Sequence, residues 1–228
     1  DRRLPDDLIA AMVRADLFRL AVPQAMGGAQ LGLAGWFDVI EAAAALDGSV
    51  AWVLTNATIM GRMAGFLPVG VASDWFAMPD CMIAGSTAAL GKALPVTGGY
   101  SVTGVWPFVS GIHAAKRVMA LCELAGIDDP VERMVCAFLP VQSVTIRDDW
   151  HSSGLRGSGS CTVEAQEIFV PTEHVIPFLA HRPLIEADPY RLPNLSIFPF
   201  SVTLVALGIT KATLDDFTAM ADRTRGGT

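Results

Sequence analysis

Two hydroxyl-bearing stretches about forty residues apart hold the side chains best suited to chemistry. The first, residues 99–111, reads Gly-Tyr-Ser-Val-Thr-Gly-Val-Trp-Pro-Phe-Val-Ser-Gly. It sets an aromatic wall, Trp106 and Phe108, beside the Ser110 hydroxyl and a flexible Gly111. Such a surface offers a flat amphipathic ring system π-faces for stacking and one donor for orientation. The same pattern suits an aromatic buried at the end of a strand, and both readings stand at this point. The second stretch, 150–160, reads Trp-His-Ser-Ser-Gly-Leu-Arg-Gly-Ser-Gly-Ser and offers Arg156, Ser158 and Ser160. His113 and His151 lie next to the two stretches and are candidates for acid–base work.

Other patterns lead to no chemistry. Gly85-Ser-Thr-Ala-Ala-Leu-Gly91-Lys92 resembles a phosphate loop, but five residues separate its glycines and Ala93 replaces the Ser or Thr. Gly157-Ser-Gly-Ser-Cys-Thr162 starts like a dinucleotide fingerprint, yet it runs into a strand where a helix is required. No Gly-x-Ser-x-Gly elbow is present. His113, His151, His174 and His181 have no metal-ligand spacing, and Cys81, Cys122, Cys136 and Cys161 form no Cys-x-x-Cys pair. Reduced, buried thiols of a cytoplasmic protein are the simplest account of the cysteines.

The elements that must position these residues change character along the chain. Pro5 opens a helix with Asp6 and Asp7 at its positive end and Leu8, Ile9, Met12 and Val13 on one face. Residues 22–28 form a loop. A second helix covers 33–46 with Trp36, Phe37, Ile40 and Ala44 inward, and Asp47-Gly48 closes it. Ser49 is placed to cap a central helix over 50–66, apolar nearly all round, and Pro68 opens a shorter one that ends before Pro79. From residue 82 the period shortens to two, and strands are expected at 82–87, 100–106, 117–124, 133–139, 144–148 and 161–170. Pro107 should end the second of these or place it at a sheet edge. A proline-rich irregular segment follows, then an apolar helix over 200–223. The division is a helical 1–80, an antiparallel barrel or sandwich over 81–180, and a linker with one helix over 181–228. A lone apolar helix needs partners, so the chain is expected to continue past Thr228.

The 228 residues are 52% apolar and 17% charged, with a net charge of −7. The acidic balance and the lack of a basic run argue against nucleic acid as a partner. The low charge fraction fits a chain that buries surface against other subunits. The longest apolar run, near 197–209, is interrupted by Pro199 and reads as too short for a membrane span. No signal-peptide layout opens the sequence, so the expectation is a soluble, cytoplasmic protein.

Four stretches in order resemble the acyl-CoA dehydrogenase superfamily of flavoproteins. They are Leu20-Ala-Val-Pro23 through Gly27-Gly28, Ala45-Leu-Asp-Gly-Ser-Val-Ala-Trp52, residues 99–111, and 150–160 running into Glu167-Ile-Phe-Val-Pro171. The resemblance implies an α+β fold: a helical N-terminal domain, an antiparallel β-barrel middle domain and the start of a C-terminal helical bundle, with flavin between barrel and bundle. The Asp-Gly-Ser-x-Ala-Trp, Trp-Pro-Phe-x-Ser-Gly and Gly-Leu-Arg-Gly-Ser-Gly-Ser forms are most similar to its two-component flavin-dependent monooxygenases. Those enzymes take reduced flavin from a separate flavin reductase and activate oxygen on it. FAD or FMN is therefore the implied cofactor, a small molecule the substrate, and a homodimer or homotetramer the assembly. An FAD-dependent acyl-CoA dehydrogenase and a truncated, non-catalytic scaffold chain are the alternative readings.

Carried over by residue, Trp106 and Phe108 would flank the flavin ring, by stacking or backbone contact, and Ser110 would place a catalytic hydroxyl near its reactive nitrogen. Ser86 and Thr87 would line the other side of the ring. Arg156, Ser158 and Ser160 would meet a phosphate or the substrate, or else form a glycine-rich turn in which Arg156 ties down carbonyls. Arg223 or Arg225 would reach a flavin phosphate of a neighbouring subunit, or simply complement the helix dipole. The central helix departs from the hydroxylase pattern: it offers Thr55, Asn56, Thr58 and Arg62 where a histidine is common. No catalytic base can be named from the sequence.

Overall fold

The computed structural model describes residues 2–180 and 182–225. His181 and Thr228 lie outside the described residues, as does the side chain of Arg225. Helices fill the first part: α1 (Asp6–Arg14), α2 (Leu33–Leu46), α3 (Gly48–Arg62) and α4 (Val69–Phe76). α3 starts earlier than expected because its cap is Asp47, whose carboxylate accepts from Val50 N at 2.9 Å. Ser49 has a different partner: its hydroxyl accepts from Gly157 N at 3.2 Å and ties the helix to the second hydroxyl-rich stretch. Asp47→Ala is expected to cost about 1 kcal/mol in urea denaturation, the usual loss on removing an N-cap acceptor. Ser49→Ala should leave that helix start intact.

A single seven-stranded sheet follows. Its strands are β1 (Ile83–Val96), β2 (Gly99–Val109), β3 (Arg117–Leu124), β4 (Met134–Pro140), β5 (Thr145–Ile146), β6 (Cys161–Pro171) and β7 (Val175–Pro177), in the spatial order β5-β6-β2-β1-β3-β4-β7. The expected antiparallel order fails at one place, because β1 and β3 run parallel and the sheet is mixed. Nor does it close among the described residues: β5 and β7 are its two edges. The sheet does curl. Alternate residues of β3 and β4 serve two cores, with Val118, Ala120, Cys122, Val135, Ala137 and Leu139 facing the inward side chains of β2 and β6. Met119, Leu121, Cys136 and Phe138 face the helices instead. Burial on both faces is why these two strands read as unbroken apolar runs.

Pro107 does not end β2, which is an interior strand running on to Val109. The β2–β6 register slips between Trp106 and Val109, so Pro107 and Phe108 fall in a bulge where no ladder donor is needed. β1 also outruns its expected length. It bends where its pairing with β3 slips between Ser86 and Gly91. Gly91 and Gly104 both lie under the Trp106 ring, and a Cβ there would come within 2.3 and 2.6 Å of it.

The proline-rich segment is held rather than loose. Arg62 of α3, 1% exposed, donates to the carbonyls of Pro189, Tyr190 and Leu192 around the short α5 (Asp188–Arg191). Tyr190 packs its ring against Gly65 and donates its hydroxyl to Ala21 O at 3.0 Å. The last helix, α6 (Asn194–Arg225), runs through Pro199 without ending. Residues Ser196–Arg223 are long and apolar enough, by length and composition, to cross a membrane, so the run is longer than the sequence reading allowed. α6 packs closely on α2, where a Cβ on Gly208 would lie 2.4 Å from the Glu41 carbonyl.

All four cysteines are buried and free of disulfides. Burial pushes the Cys81 thiol up to about 11 and the Cys122 thiol to about 12, and raises Cys136 further still. Thiols so raised are inert.

Candidate functional site

One face of α3 looks across at the bends of β1 and β2. Trp52, Asn56, Met60 and Met63 recur at helical spacing on that face and meet Gly85, Ser86 and Thr87 of β1 across a cavity of 620 Å³. Phe108, Trp150, Phe178 and Phe198 add aromatic walls. A volume within the roughly 300–1,000 Å³ of small-molecule sites, mostly apolar with a few convergent polar groups, is the form of a ligand pocket. Gly85 keeps its floor open, since a Cβ there would sit 2.9 Å from Met119 Cβ and 3.0 Å from Met60 Sδ.

The polar groups converge as a line. Trp52 Nε1 donates to Ser110 Oγ at 2.9 Å, Ser110 Oγ lies 2.7 Å from Ser160 Oγ, and Ser160 Oγ lies 2.7 Å from Ser158 Oγ. The two hydroxyl-rich stretches are thus joined by the side chains that made them conspicuous. The β2 bulge makes this possible. Phe108 takes a left-handed φ of 61°, which is strained for a bulky residue, and its carbonyl accepts from Ser110 N at 3.0 Å. Gly111, at φ 75°, donates its N–H to the Ser158 carbonyl at 2.8 Å and fixes one stretch on the other.

Of the residues expected from sequence, Ser86, Thr87, Phe108, Ser110, Ser158 and Ser160 line this cavity. Ser86 Oγ accepts from Ala88 N at 3.1 Å and holds the β1 bend. Trp106 is elsewhere. Its ring is fully buried in the sheet core and donates to Leu121 O at 2.9 Å, so it cannot stack on a cavity ligand; the alternation of β2 turns it inward. Two of the aromatic walls, Phe108 and Trp150, meet edge to face at 6.5 Å. Arg156 is not in the cavity either. The left-handed Leu155 faces the cavity, and Arg156 lines a second hollow with Arg2, Arg3, His113, Asp148 and His151. The Arg156 carbonyl accepts from Trp150 Nε1 at 3.1 Å.

Both candidate histidines stand outside the cavity. His113 Nε2 lies 3.5 Å from Cys161 Sγ, and His151 Nε2 lies 3.2 Å from Arg2. On the central helix, Arg62 is committed to carbonyls, whereas Asn56 faces the cavity and donates Nδ2 to Trp52 O at 2.7 Å. Trp52 ends the Asp-Gly-Ser-x-Ala-Trp motif, whose sequence alone assigns it no role. The signal was the stripe Trp52-Asn56-Met60-Met63, hidden in a helix apolar on every side. Among the described residues no group of three His, Cys, Asp or Glu is placed to hold a metal ion.

Burial and Arg3 hold His113 below the ordinary histidine value, and burial and Arg117 do the same to His174. Groups depressed in the fold bind fewer protons folded than unfolded once pH falls below about 6.5, so stability is lost as pH drops through that range. Urea denaturation at about pH 7.5 and about pH 5.5 should show the loss. The double variant H113Q/H174Q should flatten it, and an equally steep dependence in that variant would contradict the assignment.

Comparisons with known proteins bear on this geometry. Residues 1–66 match the family model described as acyl-CoA dehydrogenase, N-terminal domain. The chain is 30% identical to the flavin-dependent monooxygenase oxygenase subunit HsaA of Rhodococcus jostii (strain RHA1) over 225 residues, covering 94% of this chain and 58% of that protein. The chain therefore spans a little over half the length of that relative. Its fold superposes on the crystal structure of 3-HSA hydroxylase from Rhodococcus sp. RHA1 with a TM-score of 0.90 at 29% identity, over 98% of this chain and 61% of the other. XiaF from Streptomyces sp., solved in complex with FADH2 and glycerol, matches with a TM-score of 0.84 at 26% identity, over 93% of this chain and 55% of that one. Fold, motif order and relatives agree: residues 1–66 match the acyl-CoA dehydrogenase N-terminal domain, and nearly the whole chain is similar in sequence and fold to oxygenase subunits of flavin-dependent monooxygenases.

Proposed function

We propose that this chain is the flavin-binding part of the oxygenase component of a two-component monooxygenase, taking reduced FAD or FMN from a separate flavin reductase and acting on a small-molecule substrate. The observation that carries the reading is the aromatic cavity with its buried line Trp52–Ser110–Ser160–Ser158. Its donor set fits a flavin ring, which needs apolar walls and fixed hydroxyls at its polar edge. When bound, the flavin supplies the redox chemistry and the activation of oxygen. The residues of the chain do the rest. Phe108 would flank the ring, Ser110 would present a hydroxyl at the reacting atoms, and Ser86 and Thr87 would line its other side. Ser158 and Ser160 hold Ser110 in place, and Asn56 faces the substrate. Monooxygenase relatives favour this reading over an acyl-CoA dehydrogenase.

The same proposal takes residues 1–80 as a helical domain, 81–180 as the flavin-binding domain built on the curled sheet, and 181–228 as linker and first helix of a C-terminal bundle. Exposed Leu207, Leu214 and Phe217 on α6 support the last assignment and a homodimer or homotetramer. Four buried, unpaired thiols support a cytoplasmic location. The test is oxygen uptake by the intact protein supplied with NADH, a flavin reductase, FAD or FMN, and a panel of phenols and indoles. Substrate-dependent uptake with formation of an oxygenated product is expected. Uptake no greater than that of the reductase alone, across the panel, would overturn the proposal.

A further inference from the structure

Ser158 stands in the walls of two hollows. One is the aromatic cavity; the other, of 270 Å³, is lined by Arg3, Asp6, Asp80, His113 and Lys116. The line of hydroxyls joins them. Ser110, Ser160 and Ser158 are 3%, 5% and 1% exposed, and each Oγ–Oγ step is 2.7 Å. An indole N–H can only donate, so Trp52 occupies a lone pair of Ser110 and cannot receive its hydrogen. Each serine has one hydrogen to give. The line therefore has two complete arrangements. In one, every hydrogen points outward and Ser158 donates into the Arg3–His113 hollow. In the other, every hydrogen points inward and Ser110 donates into the cavity. Short, buried hydrogen bonds in series polarise one another, and moving a proton along them converts one arrangement into the other.

We propose that Ser110, Ser160 and Ser158 form a proton path between a ligand that ionises in the aromatic cavity and water in the Arg3–His113 hollow. The proposal rests on reading that cavity as the ligand site. A ligand proton passes to Ser110 Oγ, the Ser110 hydrogen to Ser160, the Ser160 hydrogen to Ser158, and the Ser158 hydrogen to water. As many O–H bonds form as break, every serine ends neutral, and no electrons change hands. The reverse sequence delivers a proton to the cavity. Trp52 is a positioning residue: by filling a Ser110 lone pair, it leaves that hydrogen only Ser160 or the ligand. At the outer end Arg3 and Lys116 are balanced by Asp6 and Asp80, so the hollow receives or supplies a proton without a large local charge.

The experiment follows 4-nitrophenol bound to the intact protein through a stopped-flow jump from about pH 6 to about pH 8, reading the phenolate absorbance. Ser158→Ala and Ser160→Ala should each slow ionisation of the bound probe by at least roughly tenfold, measured at saturating probe and normalised to the final amplitude. Ser158→Thr, which keeps a hydroxyl, should restore the rate. Unslowed ionisation in both alanine variants would overturn the path. So would a slowing that Ser158→Thr fails to reverse, since that would mark a packing effect. A parallel titration with reduced FMN separates the two ideas: no FMN binding contradicts the flavin reading and leaves the nitrophenol result standing.

Discussion

Ser110→Ala is expected to lower substrate hydroxylation by the intact protein about 100-fold, the scale set by removing one preorganised donor from a site of developing charge. The substitution removes the hydroxyl at the head of the serine line and strands two groups that depend on it. Trp52 Nε1 loses its acceptor at 2.9 Å, and Ser160 loses its neighbour at 2.7 Å. Reduced-flavin affinity should fall less, about tenfold, as expected for one hydrogen bond among many contacts. Ser110→Thr keeps the oxygen and should recover part of the rate. Steady-state hydroxylation alongside reduced-flavin binding checks the pair of effects. An alanine variant with unchanged rate would remove Ser110 from the chemistry and leave it a structural serine.

Arg62→Leu should destabilise the protein by about 3–5 kcal/mol, since three carbonyls lose a charged donor at about 1–3 kcal/mol each. Burial draws the guanidinium down only to about 10, so it is charged at neutral pH. Its donors serve the carbonyls of Pro189, Tyr190 and Leu192, none of which regains a partner when the side chain becomes leucine. The Tyr190 ring against Gly65 and the Tyr190 hydroxyl on Ala21 O depend on the same strap. Urea denaturation reads the total. Arg62→Lys, which keeps the charge and loses the planar fork, should fall between the two. A loss under about 1 kcal/mol for Arg62→Leu would mean that the segment is held by packing alone.

The helices were legible because their signals are local. Pro5, the 33–46 periodicity and Pro68 each mark a boundary with a few residues, and α1, α2 and α4 lie where those residues place them. Ser49 misled because two capping residues stand two apart, Asp47 and Ser49, and only geometry shows that Ser49 turns to Gly157. Strand content was legible from period two, but strand direction was not. Nothing local distinguishes a parallel β1–β3 pair from an antiparallel one, because that depends on the path of the intervening β2 hairpin. β7, three residues long, is too short to carry a period.

The site was legible as a set of residue types and misread in orientation. Trp106 and Phe108 are two apart in sequence and should share a face of a regular strand. The bulge at Pro107 and Phe108 breaks that rule, sending one ring to the core and the other to the cavity. Leu155 does the same to Arg156. In both places a left-handed backbone at a bulky residue redirects a side chain, and no propensity scale anticipates it. Serine spacing, by contrast, carried through. Ser158 and Ser160, two apart, meet each other, and Ser160 meets Ser110 between the end of β2 and the start of β6.

An anaerobic titration of the intact protein with reduced and then oxidised FAD and FMN, followed by absorbance and tryptophan fluorescence, tests the central claim most directly. The cavity described here predicts saturable binding with quenching from Trp52 and Trp150, and a preference of at least about tenfold for the reduced form. Tighter binding of the oxidised form would contradict the oxygenase reading. No binding of either form would contradict the assignment of the Ser110 cavity to flavin altogether.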